Sequence, residues 1–202
     1  LGLARWLFLP EHPLTARVQV NRMWRHFFGQ GIARTPEDLG VQCEYPEHRE
    51  LLDWLAVEFC ECGWSQKQMH RQIVTSATYR QSSRISPEQL ERDPENRLFG
   101  RAGRFRMPAM VLRDQALTAA GLIDLRLGGQ PVYPYQPDGI WESLAITKER
   151  DFTYPASHGD DLYRRSLYTF WRRTVSPANV FDAASRTTCS VRTLRTCTPL
   201  HA

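Results

Sequence analysis

The 202-residue chain lacks the short motifs that identify common catalytic and cofactor-binding proteins. It has no Cys-x-x-Cys-His sequence, which covalent haem attachment requires because two thiols bond the porphyrin and the histidine ligates the iron. It has no glycine-rich phosphate loop, since Gly29-Gln-Gly31 is not followed by further glycines, and no Gly-x-Ser-x-Gly nucleophile elbow. The sequence therefore predicts no cofactor in this chain and identifies no catalytic residue.

Long apolar runs and paired metal ligands are also missing. No run of about 18 apolar residues is present, so we expect no membrane span, and the opening from Leu1 has neither the charged region nor the cleavage site of a signal peptide. None of the six histidines has a second histidine four residues away, which predicts no metal site. The five cysteines have no regular spacing; we expect mostly buried thiols, and a disulfide between Cys189 and Cys197 remains open.

Lysine is scarce, and the positive charge is concentrated near the C-terminal end. Of the 26 basic residues only Lys67 and Lys148 are lysine. Residues 161–202 contain seven arginines against two aspartates, whereas residues 1–160 are close to neutral. Guanidinium groups form bidentate hydrogen bonds with carboxylate, phosphate or sulfate. Localised arginine can therefore bind a polyanion or pair with acids inside the fold, although codon bias in a GC-rich genome would also account for it.

The segment 161–174 interleaves its arginines with aromatic residues. Aromatic faces pack on the CH groups of sugar rings, and guanidinium groups bind anionic substituents, so this segment is a candidate site for an anionic polysaccharide. The candidate ligand-binding residues are Arg164, Arg165, Tyr168, Trp171, Arg172 and Arg173. An internal structural strand is the alternative, because adjacent arginines on a strand point to opposite faces. Nucleic acid is not expected as a partner, since the net charge is only +4 and no nucleic-acid motif is present.

Helical patterns dominate the first 127 residues. Apolar residues at helical spacing predict a short helix before Pro10 and amphipathic helices over about 14–28, 47–62, 65–77 and 108–122. The side chains predicted to face the core in the first three long helices are Val20, Met23, Trp24, Phe27, Phe28, Leu51, Leu52, Leu55, Ala56, Phe59, Met69, Ile73, Val74 and Ala77. Those predicted for the last helix are Val111, Leu112, Ala116, Leu117 and Ala120. Between these helices, small polar residues and a proline predict a flexible hinge near 82–95.

The pattern changes after residue 127. Paired glycines and several prolines predict an irregular loop over 128–160. Residues 163–172 alternate and are rich in Tyr, Thr, Phe and Trp, which predicts a β-strand, with residues 189–192 as a candidate partner. We therefore predict a mainly α, multi-helix domain with a small β-hairpin or strand element in the C-terminal third. Residues 1–202 are expected to form a single domain of a larger chain.

Several segments spread along the whole sequence resemble one known family. They are His12-Pro-Leu-Thr-Ala-Arg-Val18, Val20-Asn-Arg22, Phe28-Gly-Gln-Gly31, Thr35-Pro-Glu-Asp38, Leu51-Leu-Asp-Trp-Leu55, Gly63-Trp-Ser65, Ser76-Ala-Thr-Tyr-Arg-Gln-Ser-Ser83, Arg113-Asp114, Tyr163-Arg-Arg-Ser-Leu-Tyr-Thr-Phe-Trp-Arg-Arg-Thr174, Phe181-Asp182 and Arg195-Thr-Cys-Thr-Pro-Leu200. Together they resemble the planctomycete-specific C-terminal domain of unknown function. Cys197 and Met110 depart from that pattern, which usually has Asn and Glu at these positions.

The resemblance implies a setting rather than an activity. Members of that family are large exported proteins in which this domain follows another domain of unknown function. Many carry a cytochrome-c-like haem domain further upstream. The resemblance thus implies a periplasmic or exported location, the upstream domain of the same protein as a partner, and any haem in a separate domain.

Two hypotheses follow. The leading one is a non-catalytic structural or binding module, with anionic polysaccharide as the candidate ligand. The alternative is one wall of a haem-linked redox or polysaccharide-degrading enzyme whose site an upstream domain completes. A cleft lined by Arg22, Asp38, His48 and Asp53 would favour the enzyme, and a closed, fully paired network there would exclude it. Arg113 with Asp114 is predicted to join an internal ion-pair network.

Overall fold

The computed structural model describes residues 1–136, 139 and 154–170. The chain divides into two compact units, Leu1–Phe105 and Arg106–Ala202. The α-helices are α1 (Gly2–Leu7), α2 (Thr15–Phe28), α3 (Arg49–Glu61), α4 (Gln66–Thr75), α5 (Ala77–Arg80), α6 (Pro87–Arg92) and α7 (Ala109–Ala119). Two 3-10 helices span Gly159–Tyr163 and Ser166–Tyr168. The mainly α fold class is confirmed, and the single domain over 1–202 stays a prediction.

The first unit is built around the apolar faces of α2, α3 and α4. Helix α2 packs against both α3 and α4, and the predicted amphipathic stripes face one another. The buried residues of this core are Ala16, Val20, Met23, Trp24, Phe28, Ile32, Ala33, Leu52, Leu55, Ala56, Phe59, Met69, Ile73 and Phe99. Phe27 and Leu51 are partly buried against it, whereas Ala77, also predicted for the core, is exposed. The core prediction for these helices is confirmed in its main residues.

Local signals set the helix ends in this unit. Gly29 ends α2 in the left-handed conformation (φ 80°), which glycine adopts without strain. Ser65, Ser76 and Ser86 cap α4, α5 and α6, each accepting a backbone N–H with its side-chain oxygen. The region predicted as a hinge therefore contains a short helix with a complete capping box between Ser86 and Gln89.

The segment after α2 is fixed by a buried amide. Asn21, 1% exposed, donates through Nδ2 to the carbonyl of Ala33 (2.9 Å), and its Oδ1 accepts from the N–H of Ala33 (2.9 Å). Gly31 lies against this pair: a Cβ there would stand 2.5 Å from the Ala33 carbonyl oxygen. The pair satisfies two backbone groups that would otherwise be buried without partners.

In the second unit, α7 departs from the predicted packing. Val111 and Leu112 are 48% and 46% exposed, and no residue of α7 is buried among the described residues. The helix instead uses its polar residues: Arg113 and Asp114 hydrogen-bond to the segment 162–166. The amphipathic pattern predicted the helix correctly but assigned the wrong side chains to its contacts.

The β-strand predicted over 163–172 is wrong for residues 163–170. Two 3-10 helices cover half of this range, with isolated parallel bridges from Arg164 to Asp124 and from Thr169 to Val132. Helical turns form here because α7 and the backbone of Asp124 and Val132 supply hydrogen-bond partners for this backbone, so no strand ladder is needed. Residues 128–136 are irregular, as predicted. The candidate partner segment 189–192 lies outside the described residues.

Two further predictions concern the burial of the cysteines and the absence of a membrane span. Cys43, Cys60 and Cys62 are free thiols and none is fully buried, so the prediction of buried thiols is wrong for these three. Partial burial raises the pKa of Cys60, and Cys62 and Glu61 add to the shift. Cys189 and Cys197 lie outside the described residues. None of the helices in the described part of the chain is both long and apolar enough to cross a bilayer.

Candidate functional site

Arg164, the first of the candidate ligand-binding residues, is buried and holds backbone. It is 3% exposed, and its guanidinium donates to the carbonyls of Arg126 (3.0 Å), Gly128 (2.5 Å) and Gln130 (3.3 Å). Its Cζ lies 3.9 Å from the centre of the Tyr168 ring. The terminal N–H groups of Arg164 thus bind carbonyl groups of the 126–130 loop. In the internal-strand alternative, carboxylates were expected as their partners.

Arg165 and Tyr168 lie beside this loop. The Arg165 Cζ is 5.6 Å from the centre of the Tyr168 ring, and the Tyr168 hydroxyl accepts from the N–H of Gly128 (2.8 Å). That hydrogen bond holds the pKa of Tyr168 below its ordinary value, and Arg165 and Arg164 act in the same direction. Trp171, Arg172 and Arg173 lie outside the described residues. A ligand role for this segment stays a prediction.

Arg113 and Asp114 also bind backbone rather than a ligand. Arg113 donates to the carbonyls of Leu162 (2.7 Å) and Arg164 (2.9 Å), and Asp114 accepts from the N–H of Ser166 (2.8 Å). The two side chains are 3.6 Å apart. They form the predicted internal network, and its main partners are peptide groups.

The residues named for an enzyme cleft are engaged separately. Asp53 accepts from Arg17 (2.6 Å) and lies 3.6 Å from Arg49, while Asp38 accepts from the N–H of Gly40 (2.7 Å). Nε2 of His48 is buried without a hydrogen-bond partner in the described part of the chain. Asp38 and Asp53 are thus paired, whereas His48 Nε2 and Arg22 have no partner in the described part of the chain, so the enzyme alternative stays a prediction.

A groove of about 660 Å³ in the first unit combines aromatic and polar residues; we call it the N-terminal groove. Its volume lies in the range of small-molecule sites. The lining residues with rings or polar side chains are Trp6, Phe8, His12, Thr15, Gln19, Arg22, Phe59, Trp64 and Gln66. No carboxylate lines the groove among the described residues. From the sequence, these aromatic residues are expected in helices or turns, and no groove is predicted.

The aromatic side of the groove comes from α1 and from the end of α3. Trp6 and Phe8 are 53% and 57% exposed, which is unusual for side chains of this size. Trp64 packs edge-to-face against Phe8 (ring centres 4.8 Å apart) and Phe59 (5.2 Å). Trp64 has φ 60°, a left-handed conformation that costs a bulky residue energy and that clusters at functional sites. The strain at Trp64 is the structural signal that marks this side.

The polar side of the groove is one face of α2. Thr15, Val18, Gln19 and Arg22 are spaced three or four residues apart, so their side chains follow one helical stripe. Arg22 is exposed and has no hydrogen bond or ion pair with the described part of the chain. Since no acid lines the groove there, the charge of Arg22 is not neutralised locally.

His12 connects the two sides. Its Nδ1 accepts from the N–H groups of Leu14 (3.3 Å) and Thr15 (3.2 Å) and lies 2.9 Å from the Thr15 hydroxyl oxygen. Its ring meets the Trp6 ring edge-to-face at 4.4 Å between centres. His12 thereby satisfies unpaired N–H groups at the start of α2 and holds Trp6 at the same time.

The arrangement has the features of a binding surface. Aromatic faces, amide groups and one unpaired guanidinium suit a polar ligand with CH faces and an anionic group. Glycoside hydrolysis commonly uses two carboxyl groups, and the described lining supplies none. No group of three metal-ligating side chains occurs among the described residues.

Comparisons with known proteins agree with the family pattern of the sequence. Residues 1–202 match the family described as "Protein of unknown function (DUF1553)", PSD1. The chain belongs to this family. No curated protein and no solved structure gives a significant match. The family match supports a domain of unknown function, while planctomycete restriction, export and association with cytochrome-c-like domains stay predictions.

Proposed function

We propose that this DUF1553 domain is a non-catalytic binding module for an anionic polysaccharide and that the ligand lies in the N-terminal groove. The observation that carries the proposal is the juxtaposition in one groove of exposed aromatic rings with an unpaired arginine. An exported setting beside an upstream domain of the same protein would suit such a module.

The aromatic residues supply the surface for sugar rings. Trp6 and Phe8 present more than half of their surface to solvent, and Trp64 is held between Phe8 and Phe59. Aromatic side chains offer large, rigid contact area at low entropic cost, and a pyranose ring has CH faces that fit them. Contact with a sugar would remove this apolar area from water.

Arg22 supplies the charge selectivity. A guanidinium with no partner in the described part of the chain can bind a carboxylate or sulfate in a bidentate way. A neutral sugar lacks this contact. The absence of described acids in the lining leaves no charge to repel an anionic chain.

The N-terminal groove is favoured over the described part of the arginine-rich segment because of how Arg164 and the neighbouring Arg126 are used. Arg164 is buried with its terminal nitrogens on three carbonyls, and Arg126 next to it pairs with Asp124 (3.2 Å) and Asp161 (2.8 Å). A ligand there would have to compete with these contacts. A ligand that binds Arg22 would not have to displace such contacts.

The test is a binding titration with sulfated, carboxylated and neutral polysaccharides over a range of salt concentrations. The wild type should bind the anionic polymers, and the affinity should fall with salt. Arg22→Gln should weaken anionic binding about tenfold, as expected for one charge-assisted hydrogen bond. Trp6→Ala should weaken binding to every polymer that the wild type binds.

The matched control for Arg22 is Arg92→Gln, an exposed arginine at the end of α6 that does not line the groove. It removes the same charge, so it should leave the affinity nearly unchanged. Circular dichroism must show that all variants fold. Equal losses in Arg22→Gln and Arg92→Gln would mean that net charge alone drives binding, and no binding of the wild type to any polymer would reject the proposal.

A further inference from the structure

We infer that His12 is the positioning residue of the N-terminal groove and that it holds the groove only in its neutral form, so that ligand binding is lost on acidification. The inference rests on the proposed function, which supplies the ligand. It also concerns the free protein, because it states which protonation state builds the groove.

The hydrogen bonds of His12 fix its tautomer. Nδ1 receives two backbone N–H groups, from Leu14 and Thr15, and a nitrogen that accepts them cannot carry a proton. The proton of the neutral ring must therefore be on Nε2. Protonation of Nδ1 would place a third N–H against these two donors, and the contacts that begin α2 would be lost.

The same ring supports Trp6. The edge-to-face contact between His12 and Trp6, at 4.4 Å, is the shortest ring contact of the groove wall formed by α1. Trp6 and Thr15 both line the groove, and His12 touches both. Release of His12 would thus loosen an aromatic wall and the start of the polar wall together.

The surroundings offer no carboxylate in the groove to stabilise a charged His12. From α2 the charged side chain that lines the same groove is Arg22, and Arg17 donates to the carbonyl of Pro13. From the preceding turn, Glu11 is the neighbour in sequence and is exposed. The lining residues from α1 and from segment 64–66 are uncharged among the described residues.

The direction of the pH dependence distinguishes loss of the His12 contacts from unspecific electrostatic attraction. Acidification makes the whole protein more positive, so unspecific attraction to a polyanion strengthens as the pH falls. Loss of the His12 contacts weakens binding over the same range. Because the neutral form is the one that builds the groove, protonation of His12 weakens binding.

The experiment measures binding of dextran sulfate, whose charge is constant over this range, at about pH 7.5 and about pH 5. The wild type should lose at least about fivefold in affinity, the equivalent of a helix cap. His12→Asn keeps a side-chain oxygen for the N–H groups but does not titrate, so its affinity should not fall on acidification. His70→Asn, which changes an exposed histidine on α4, should behave as the wild type.

Nuclear magnetic resonance tests the inference without a ligand. The ¹⁵N shifts of the His12 ring should show a proton on Nε2 at neutral pH, and the Thr15 amide should lose its protection from hydrogen exchange at about pH 5. A proton on Nδ1 at neutral pH, or wild-type affinity that is constant or rises on acidification, would overturn the inference. If no polymer binds at any pH, the proposed function fails, and the tautomer and Thr15 exchange alone decide the role of His12.

Discussion

The two compact units are stabilised by different kinds of contact. In the first, apolar faces of α2, α3 and α4 form a continuous core whose centre includes Val20, Phe59, Met69 and Ile73, all at most 2% exposed. In the described part of the second, the buried residues are Val132, Arg164 and Ser166. The buried Arg164 binds peptide groups there, whereas the described buried residues of the first unit are apolar apart from Asn21.

This difference bears on where the proposed binding surface lies. A unit with a full apolar core can leave Trp6 and Phe8 exposed without losing its stability. A unit that uses arginines to hold its loops has their donors occupied. Charge density in a sequence therefore does not by itself indicate a binding surface, because a guanidinium that satisfies several carbonyls is unavailable to a ligand.

The largest expected effect is in the core of the first unit. Phe59→Ala should lower the free energy of unfolding by about 3–5 kcal/mol, because it removes a side chain that is 1% exposed and leaves a cavity. Val57→Ala, at 56% exposure on the same helix, is the control and should change stability by less than about 0.5 kcal/mol. Urea denaturation measures both. Similar losses for the two variants would contradict the core assignment.

The second largest effect is expected in the second unit, where arginine holds the backbone. Arg164→Met should cost about 3 kcal/mol, because the 126–130 loop loses hydrogen bonds from a charged donor and keeps buried carbonyls without partners. The measurement is hydrogen exchange of the Val132 amide, which bonds to the Tyr168 carbonyl (2.8 Å) in the same unit.

Arg126→Met is its matched control. The Arg126 side chain is 59% exposed and its ion pairs are at the surface, so the change should cost less than about 1 kcal/mol. If Arg126→Met accelerates Val132 exchange as much as Arg164→Met does, the arginine-to-backbone contacts are not what holds this unit.

The contacts of the first unit could be predicted from the sequence better than those of the second. Helical periodicity identified α2, α3 and α4 and most of their buried residues, since burial of an apolar stripe leaves a regular pattern. The positions of Arg113 and Arg164 depend on which carbonyls are left unpaired by distant loops, and no local pattern records that. The aromatic density of 163–170 suggested a strand because β propensity reflects packing that the tertiary contacts here replace with 3-10 turns.

The candidate site could be predicted only in its parts. Arg22 and Thr15 were placed on a helix, but the exposure of Trp6 and the left-handed Trp64 depend on how α1 and the end of α3 meet. His12 caps α2 from two residues before its N-cap, outside the usual capping positions. The residues of the N-terminal groove come from three separate segments, so only the fold brings them together.

A third, smaller effect tests the polar contact inside the first unit. Gly31→Ala should cost about 1–3 kcal/mol, because the new Cβ would lie 2.5 Å from the Ala33 carbonyl and 2.6 Å from Asn21 Oδ1, so backbone must shift. Exchange of the Ala33 amide should accelerate. Gly100→Ala is the control, since nothing lies within 4 Å of its Cβ position; a cost at Gly100 equal to that at Gly31 would show a general glycine effect.

The smallest effect is a pH dependence in the first unit. Burial alone would raise the pKa of Asp93, but hydrogen bonds from the N–H groups of Leu98 and Arg97, with the nearby guanidinium groups, hold the pKa below its ordinary value. A carboxyl whose pKa is lower in the folded state contributes stability above its unfolded pKa of about 3.9, and this contribution is lost as the pH falls through the folded value.

Asp93→Asn should therefore reduce stability at neutral pH by less than about 1 kcal/mol and flatten its decline below about pH 4. Urea midpoints between about pH 7 and about pH 3 measure the change, and Glu91→Gln, at an exposed position of α6, is the charge-matched control. The comparison of the units requires this effect to stay small. A loss at Asp93 as large as that at Phe59 would mean that side chain to backbone contacts hold the first unit as they hold the second, and the distinction between the two would disappear.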